Sequence, residues 1–112
     1  MVKKYIPDRG DIVLINFSPQ FGREQYGKRP AVVISPKSYN AKVGLAIFCP
    51  ITSKIKNYPF EVILENYLKT RGAVLSDHVK SFDWTARNVY FKEKMSQKNL
   101  NEVLAKLSML IS

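Results

Sequence analysis

Apolar and polar positions change their period along this 112-residue chain, and the change marks out its elements. Asp11 to Phe17 reads Asp-Ile-Val-Leu-Ile-Asn-Phe. It is apolar on both faces, which predicts a strand in a barrel wall or at a subunit contact. Ser18 to Pro30 is a polar loop punctuated by Pro19, Gly22, Gly27 and Pro30. Ala31 to Ser35 is a second strand, stopped by Pro36, and Lys37 to Gly44 is a polar connection. Leu45 to Ile51 is a third strand, in which Pro50 marks an edge or a bulge. Thr52 to Pro59 is a basic loop, and Phe60 to Leu64 a fourth strand. Gly72 to Leu75 opens a fifth and Val89 to Phe91 forms a sixth. Then the spacing turns helical. Leu100, Val103, Leu104, Leu107 and Ile111 share one face, with Ser96 as N-cap, which predicts a helix from Gln97 to Leu110. Short strands followed by one helix predict a mainly β domain, a small antiparallel barrel with a C-terminal helix.

Composition narrows the function classes. Hydrophobic residues make up 46%, enough for a packed core, and no linker or repeat divides residues 1–112, so one domain is expected. The 18 Lys and Arg against 9 Asp and Glu give a net charge of +9 and a pI near 9.8. Such a balance points to a polyanion or an acidic protein partner. With Cys49 as the one cysteine, no intrachain disulfide is possible. No apolar run approaches the roughly 18 residues of a membrane span, and the N-terminus lacks a signal's apolar stretch. A cytoplasmic protein without membrane contact is expected.

Familiar catalytic sets are absent. His78 is the one histidine, which excludes two-histidine zinc motifs. No phosphate-binding glycine loop and no Gly-x-Ser-x-Gly elbow occurs. Cys49 lies in an apolar run and reads as a buried, inert thiol. The segment Phe21 to Pro30 is different. It places Arg23, Glu24, Lys28 and Arg29 within seven residues between flexible glycines. A carboxylate among cations stays ionised, and the cations can hold a phosphate. That set suits RNA cleavage by a base, a charge-stabilising cation and a donor. A solvated charged turn is the alternative. Lys54, Lys56, Lys80 and Arg87 would extend a basic groove around it if the loops meet on one face. Tyr26, Tyr39, Tyr58 and Trp84 would then be stacking surfaces or core anchors.

Longer stretches carry a resemblance. Tyr5-x-Pro-Asp-x-Gly-Asp11, Glu24-Gln25-x-Gly-x-Arg-Pro-Ala-Val-Val33, Ser35-Pro36, Tyr39-Asn40 and Tyr58-Pro-Phe-Glu-Val62 resemble the MazF branch of the MazF/PemK-like toxins. Asp77-x-Val-Lys-Ser81 and Trp84-x-Ala-Arg87 extend the likeness over nearly the whole chain. The resemblance implies a compact SH3-like barrel and a homodimer. It implies a toxin of a type II toxin–antitoxin pair that cuts single-stranded RNA, chiefly messenger, at short motifs. No metal or cofactor is required, the products carry 2′,3′-cyclic phosphate and 5′-hydroxyl ends, and an acidic, MazE-like antitoxin blocks the site. By position, Glu24, Arg29 and Thr52 match the family's catalytic residues. Glu24 would act as base on the 2′-hydroxyl, Arg29 would stabilise charge on phosphorus, and Thr52 would orient the phosphate. Lys54, Lys56, Lys80 and Arg87 are the implied RNA contacts, with Asn40 and Asp77 as candidates at bases. The Kid branch uses a different set, with an aspartate at the position of Asp77. Its arginine two positions earlier is Leu75 here, and its histidine in the first loop is missing. Two other classes stay open: a non-catalytic toxin of the same barrel that binds a protein such as gyrase, and a nucleic-acid-binding module without catalysis.

Overall fold

The computed structural model describes residues 4–16 and 28–111; Phe17 and the loop carrying Glu24 and Tyr26 lie outside the described residues. Strand β1 (Asp11–Asn16) pairs antiparallel with β2 (Lys28–Val33), Ile12 opposite Val32. Its other edge takes β7 (Tyr90–Lys94). β2 pairs with β3 (Leu45–Thr52), and β3 is shared between two partners on its far side. Its first half, Leu45 to Phe48, takes β6 (Lys80–Asp83), and its end, Ile51 and Thr52, takes β5 (Ala73–Leu75). β4 (Glu61–Ile63) pairs with β5 and closes the order β4-β5-β3-β2-β1-β7. A strand that serves two sheets makes the corner of a small barrel-like fold.

Pro50 explains itself at that corner. It does not mark an edge, because β3 is the most connected strand. It sits where the partner changes from β6 to β5, opposite Ala31 of β2. A residue without an N–H is tolerated where the ladder on one side is interrupted.

The apolar double face of β1 is satisfied inside the chain. Ile12 packs with Val32, Cys49, Val74 and Val103 on one side. Val13 and Ile15 pack with Val33, Phe48 and Trp84 on the other. Each such side chain contributes roughly 2 kcal/mol when fully buried. Helix α2 (Gln97–Ile111) covers the first cluster with Leu100, Val103 and Leu107. It starts as the spacing predicts: the Ser96 hydroxyl oxygen accepts the Asn99 N–H at 3.0 Å.

Two elements differ from expectation. Lys37–Val43 is a short helix, α1, rather than a polar connection. Its stability comes from Asn40, which is fully buried, and from Gly44, whose left-handed φ of 82° lets its N–H return to the Asn40 carbonyl. β6 carries one large apolar residue in four, Phe82, so no alternation announces it. Its ladder on β3 creates it. Strand β2 also starts at Lys28, earlier than Ala31, which brings Arg29 into the sheet.

The motif Tyr5-x-Pro-Asp-x-Gly-Asp11 is structural. Buried Asp11 accepts the Tyr5 hydroxyl and the Asp8 N–H and pairs with Lys94 at 2.6 Å, tying the N-terminal segment to β7. The Cα radius of gyration is 13.6 Å, close to the ~13 Å of one compact domain this long. No described helix is long and apolar enough to cross a membrane.

Candidate active site

The pairing of β2 with β3 places the first two candidate residues. The ladder runs from Val33 opposite Phe48 to Ala31 opposite Pro50, and Arg29 and Thr52 lie two residues beyond that last pair on their strands, where both line one cleft. Thr52 Oγ1 accepts the Lys54 N–H at 3.1 Å. That bond orients a hydroxyl which still carries its own proton to donate.

β5 brings a further cation. Gly72 enters it with a φ of +115°, and a Cβ there would stand 2.0 Å from the Thr52 carbonyl oxygen. Only glycine lets this backbone lie so close to Thr52. Arg71, its neighbour, thereby reaches the rim. Arg29, Thr52, Lys54 and Arg71 line a cleft of about 490 Å³. A second cleft of about 370 Å³ adjoins it, sharing Thr52, Lys54 and Leu75, and is walled further by Lys56, Tyr58, Glu61, Asp77 and His78. Together they form a trough with Thr52 at its centre and cations along both halves. Clustered cations beside a hydroxyl and backbone groups suit a phosphodiester.

Asp77 sits in the second cleft and accepts the Tyr58 hydroxyl at 2.6 Å, with His78 3.8 Å away. Burial first, then this hydrogen bond, pushes the Tyr58 phenol up to about 12, so it remains a donor at physiological pH. Lys80 is exposed on β6, opposite Phe48, and lines neither cleft. Arg87 lies over the Phe82 ring at 4.2 Å and donates to the Asn16 carbonyl at 2.8 Å. It therefore stands where the Glu24 loop leaves β1.

Asn40 does not join the trough, which corrects its expected place at a base. Its amide nitrogen donates to the Pro7 and Ser35 carbonyls at 2.8 and 3.1 Å, and its side-chain oxygen accepts the Ser35 hydroxyl at 2.6 Å. The Trp84 indole N–H donates to its backbone oxygen, which makes Trp84, 7% exposed, a core anchor rather than a base platform. Asn40→Ala is expected to cost about 2–3 kcal/mol by orphaning buried groups, with RNA cleavage per folded molecule unchanged. Urea unfolding and cleavage assays check this together; weakened RNA affinity with wild-type stability would restore Asn40 to the RNA. Cys49 is buried, and burial pushes its thiol up to about 12, so it is no nucleophile.

Arg71 was not among the residues the sequence singled out. Its signal was present: a glycine opening a strand pattern marks a close backbone approach, and its neighbour is carried along.

Fold and trough define a small basic barrel with a cation-rich cleft at one end of its sheet. The chain belongs to the family described as PemK-like, MazF-like toxin of type II toxin-antitoxin system, which matches residues 8–111. It is 43% identical over 111 residues to the endoribonuclease toxin MazF of Escherichia coli K12, covering 99% of each. It superimposes on a MazF crystal structure from Deinococcus radiodurans with a TM-score of 0.87 and 46% identity, covering 96% of this chain and 98% of that one. A MazE-MazF crystal structure from the same organism matches with a TM-score of 0.88 and 45% identity over 96% and 97% of the two chains.

Proposed function

We propose that this chain is an endoribonuclease toxin that cuts single-stranded RNA, chiefly messenger RNA, at short motifs without a metal ion. Cleavage inhibits translation and growth. The observation that carries the reading is Arg29 and Thr52 lining one cation-rich cleft, in a family of toxins whose curated relatives are named endoribonucleases.

The chemistry follows from the side chains. Glu24 takes the proton from the ribose 2′-hydroxyl, and the freed oxygen attacks the adjacent phosphorus. Arg29 neutralises the charge that builds on the phosphoryl oxygens; its pKa above 12 suits electrostatics better than proton donation. Thr52 donates its hydroxyl to the phosphate. The 5′-oxygen leaves, giving 2′,3′-cyclic phosphate and 5′-hydroxyl ends. Lys54 and Lys56 hold the flanking backbone, joined by Arg71. Lys80 and Arg87 extend the basic surface beyond the trough.

A basic toxin of this kind pairs with an acidic, MazE-like antitoxin in the cytoplasm. The net charge of +9 favours fast, salt-sensitive association. A homodimer is supported by apolar surface that the chain leaves uncovered. Tyr90 and Phe91 on edge strand β7, and Met109, Leu110 and Ile111 at the end of α2, are all exposed.

The test uses long single-stranded RNA in excess chelator, with a Glu24→Ala control. Discrete cuts ending in cyclic phosphate and 5′-hydroxyl, lost in the control, are expected. Intact RNA across diverse sequences, from protein shown to be folded, would move the reading to a protein-binding toxin.

A further inference from the structure

The segment between β3 and β4 has no regular structure, yet it carries Lys54 and Lys56 into the trough. Hydrogen bonds hold it along its length, and Lys106 Nζ donates to the Pro59 carbonyl at 2.6 Å near its end. At its start the Lys54 N–H meets Thr52 Oγ1. At its end the Tyr58 hydroxyl meets Asp77. Its middle rests on the carboxylate of Glu61, from β4. The Lys56 N–H donates to both Glu61 oxygens, at 3.2 and 2.9 Å, and the Asn57 N–H donates to Oε1 at 2.7 Å. Asn57 itself sits at a left-handed φ of 60°, so the chain reverses over the carboxylate.

Glu61 is 8% exposed. An ionised carboxylate is costly to bury unless hydrogen bonds compensate it, and here backbone N–H groups do so. A strand position facing inward is ordinarily apolar. The acid is therefore explained by what it holds, and what it holds is the wall bearing two cations of the trough. Glu61 also lines the second cleft, but a carboxylate repels phosphate, so it does not hold the RNA itself and its influence runs through the loop.

We propose that Glu61 is a positioning residue for RNA cleavage: it fixes the backbone at Lys56 and Asn57 and so sets where Lys54 and Lys56 meet the RNA beside the cut. This rests on the ribonuclease reading above. The position of those cations governs both affinity for the flanking nucleotides and which sequences align well enough to be cut.

The experiment compares wild type, Glu61→Gln and Asn57→Val on an RNA oligonucleotide containing a mapped cut site, and on long RNA. Glutamine keeps the volume but turns an amide nitrogen toward one of the two N–H donors. Valine at Asn57 strains the left-handed turn from the solvent side and so loosens the loop's grip on Glu61, while the acid's own side chain stays unchanged. Both are expected to raise KM about tenfold while kcat changes less than about twofold, and to add cut sites on long RNA. If Glu61→Gln does not fold, Asn57→Val decides alone. Unchanged KM and an unchanged cut pattern in folded variants would overturn the proposal. So would a loss of active fraction alone, which marks a merely structural anchor. Should wild type leave RNA uncut, the ribonuclease reading fails and this proposal fails with it.

Discussion

Arg29→Ala is expected to lower kcat/KM for RNA cleavage by about 10²–10³-fold, most of it in kcat. The guanidinium is exposed on β2, so its loss leaves the core intact and shifts stability by about 0.5 kcal/mol at most. In the proposed mechanism its work is done when negative charge gathers on the phosphoryl oxygens, which makes the expected effect one on the transition state, while Arg71 and the lysines of the trough are assigned to holding the ground-state phosphate. Arg29→Lys is expected to recover part of the rate, because the charge returns without the two-pronged donor geometry. Steady-state kinetics on one cleavable oligonucleotide, with RNA binding measured separately, distinguishes these cases. A loss confined to KM would reassign Arg29 to binding alone.

Gly72→Ala is expected to lower stability by about 2–3 kcal/mol, a fall in Tm of roughly 10 °C. Two effects oppose each other here. Alanine stiffens the unfolded chain, which by itself stabilises by about 0.4–1 kcal/mol. The φ of +115° and a Cβ placed 2.0 Å from the Thr52 carbonyl oxygen work the other way. The clashing atom is backbone in the central strand, which does not swing aside, so strain wins. The displacement also reaches the proposed site, since the carbonyl that must move belongs to Thr52. Cleavage per folded molecule is therefore expected to fall as well. Thermal melting and single-turnover cleavage check the two halves. An unchanged Tm would show that β5 is free to slide, and the close approach would then not be what delivers Arg71.

The resemblance carried by whole stretches of sequence pointed to the same family that the full-length comparison reaches. Local spacing accounts for much of the fold. The helical face of α2 and its Ser96 cap were legible because they rest on contacts within a few residues. β1 was legible as a strand, although its apolar double face had two explanations. The structure chooses between them, since the two clusters cover both sides within one chain. Uncovered apolar side chains lie elsewhere, among them Tyr90 and Phe91 on β7 and Met109, Leu110 and Ile111 at the end of α2.

The site divides in the same way. Arg29 and Thr52 stood out in the sequence, 23 positions apart, and the pairing of β2 with β3 brings them to one cleft. Asn40 looked like a surface polar residue because nothing nearby in sequence shows that it is buried. Its partners, Pro7 and Trp84, are 33 and 44 positions away. Arg71 and Glu61 escaped notice for a related reason. One depends on how closely Gly72 passes Thr52, the other on which backbone N–H groups fold back over a strand.

Amino-acid order alone thus settled the charge, the elements with a strong period, the family likeness and the chemical types available. These depend on composition and on neighbours a few residues apart. The tertiary structure decided which cations share a trough with Thr52, that Asn40 belongs to the core, and that α1 and β6 exist. Those outcomes rest on strand register and long-range burial, where segments with weak patterns of their own are held by partners tens of residues away.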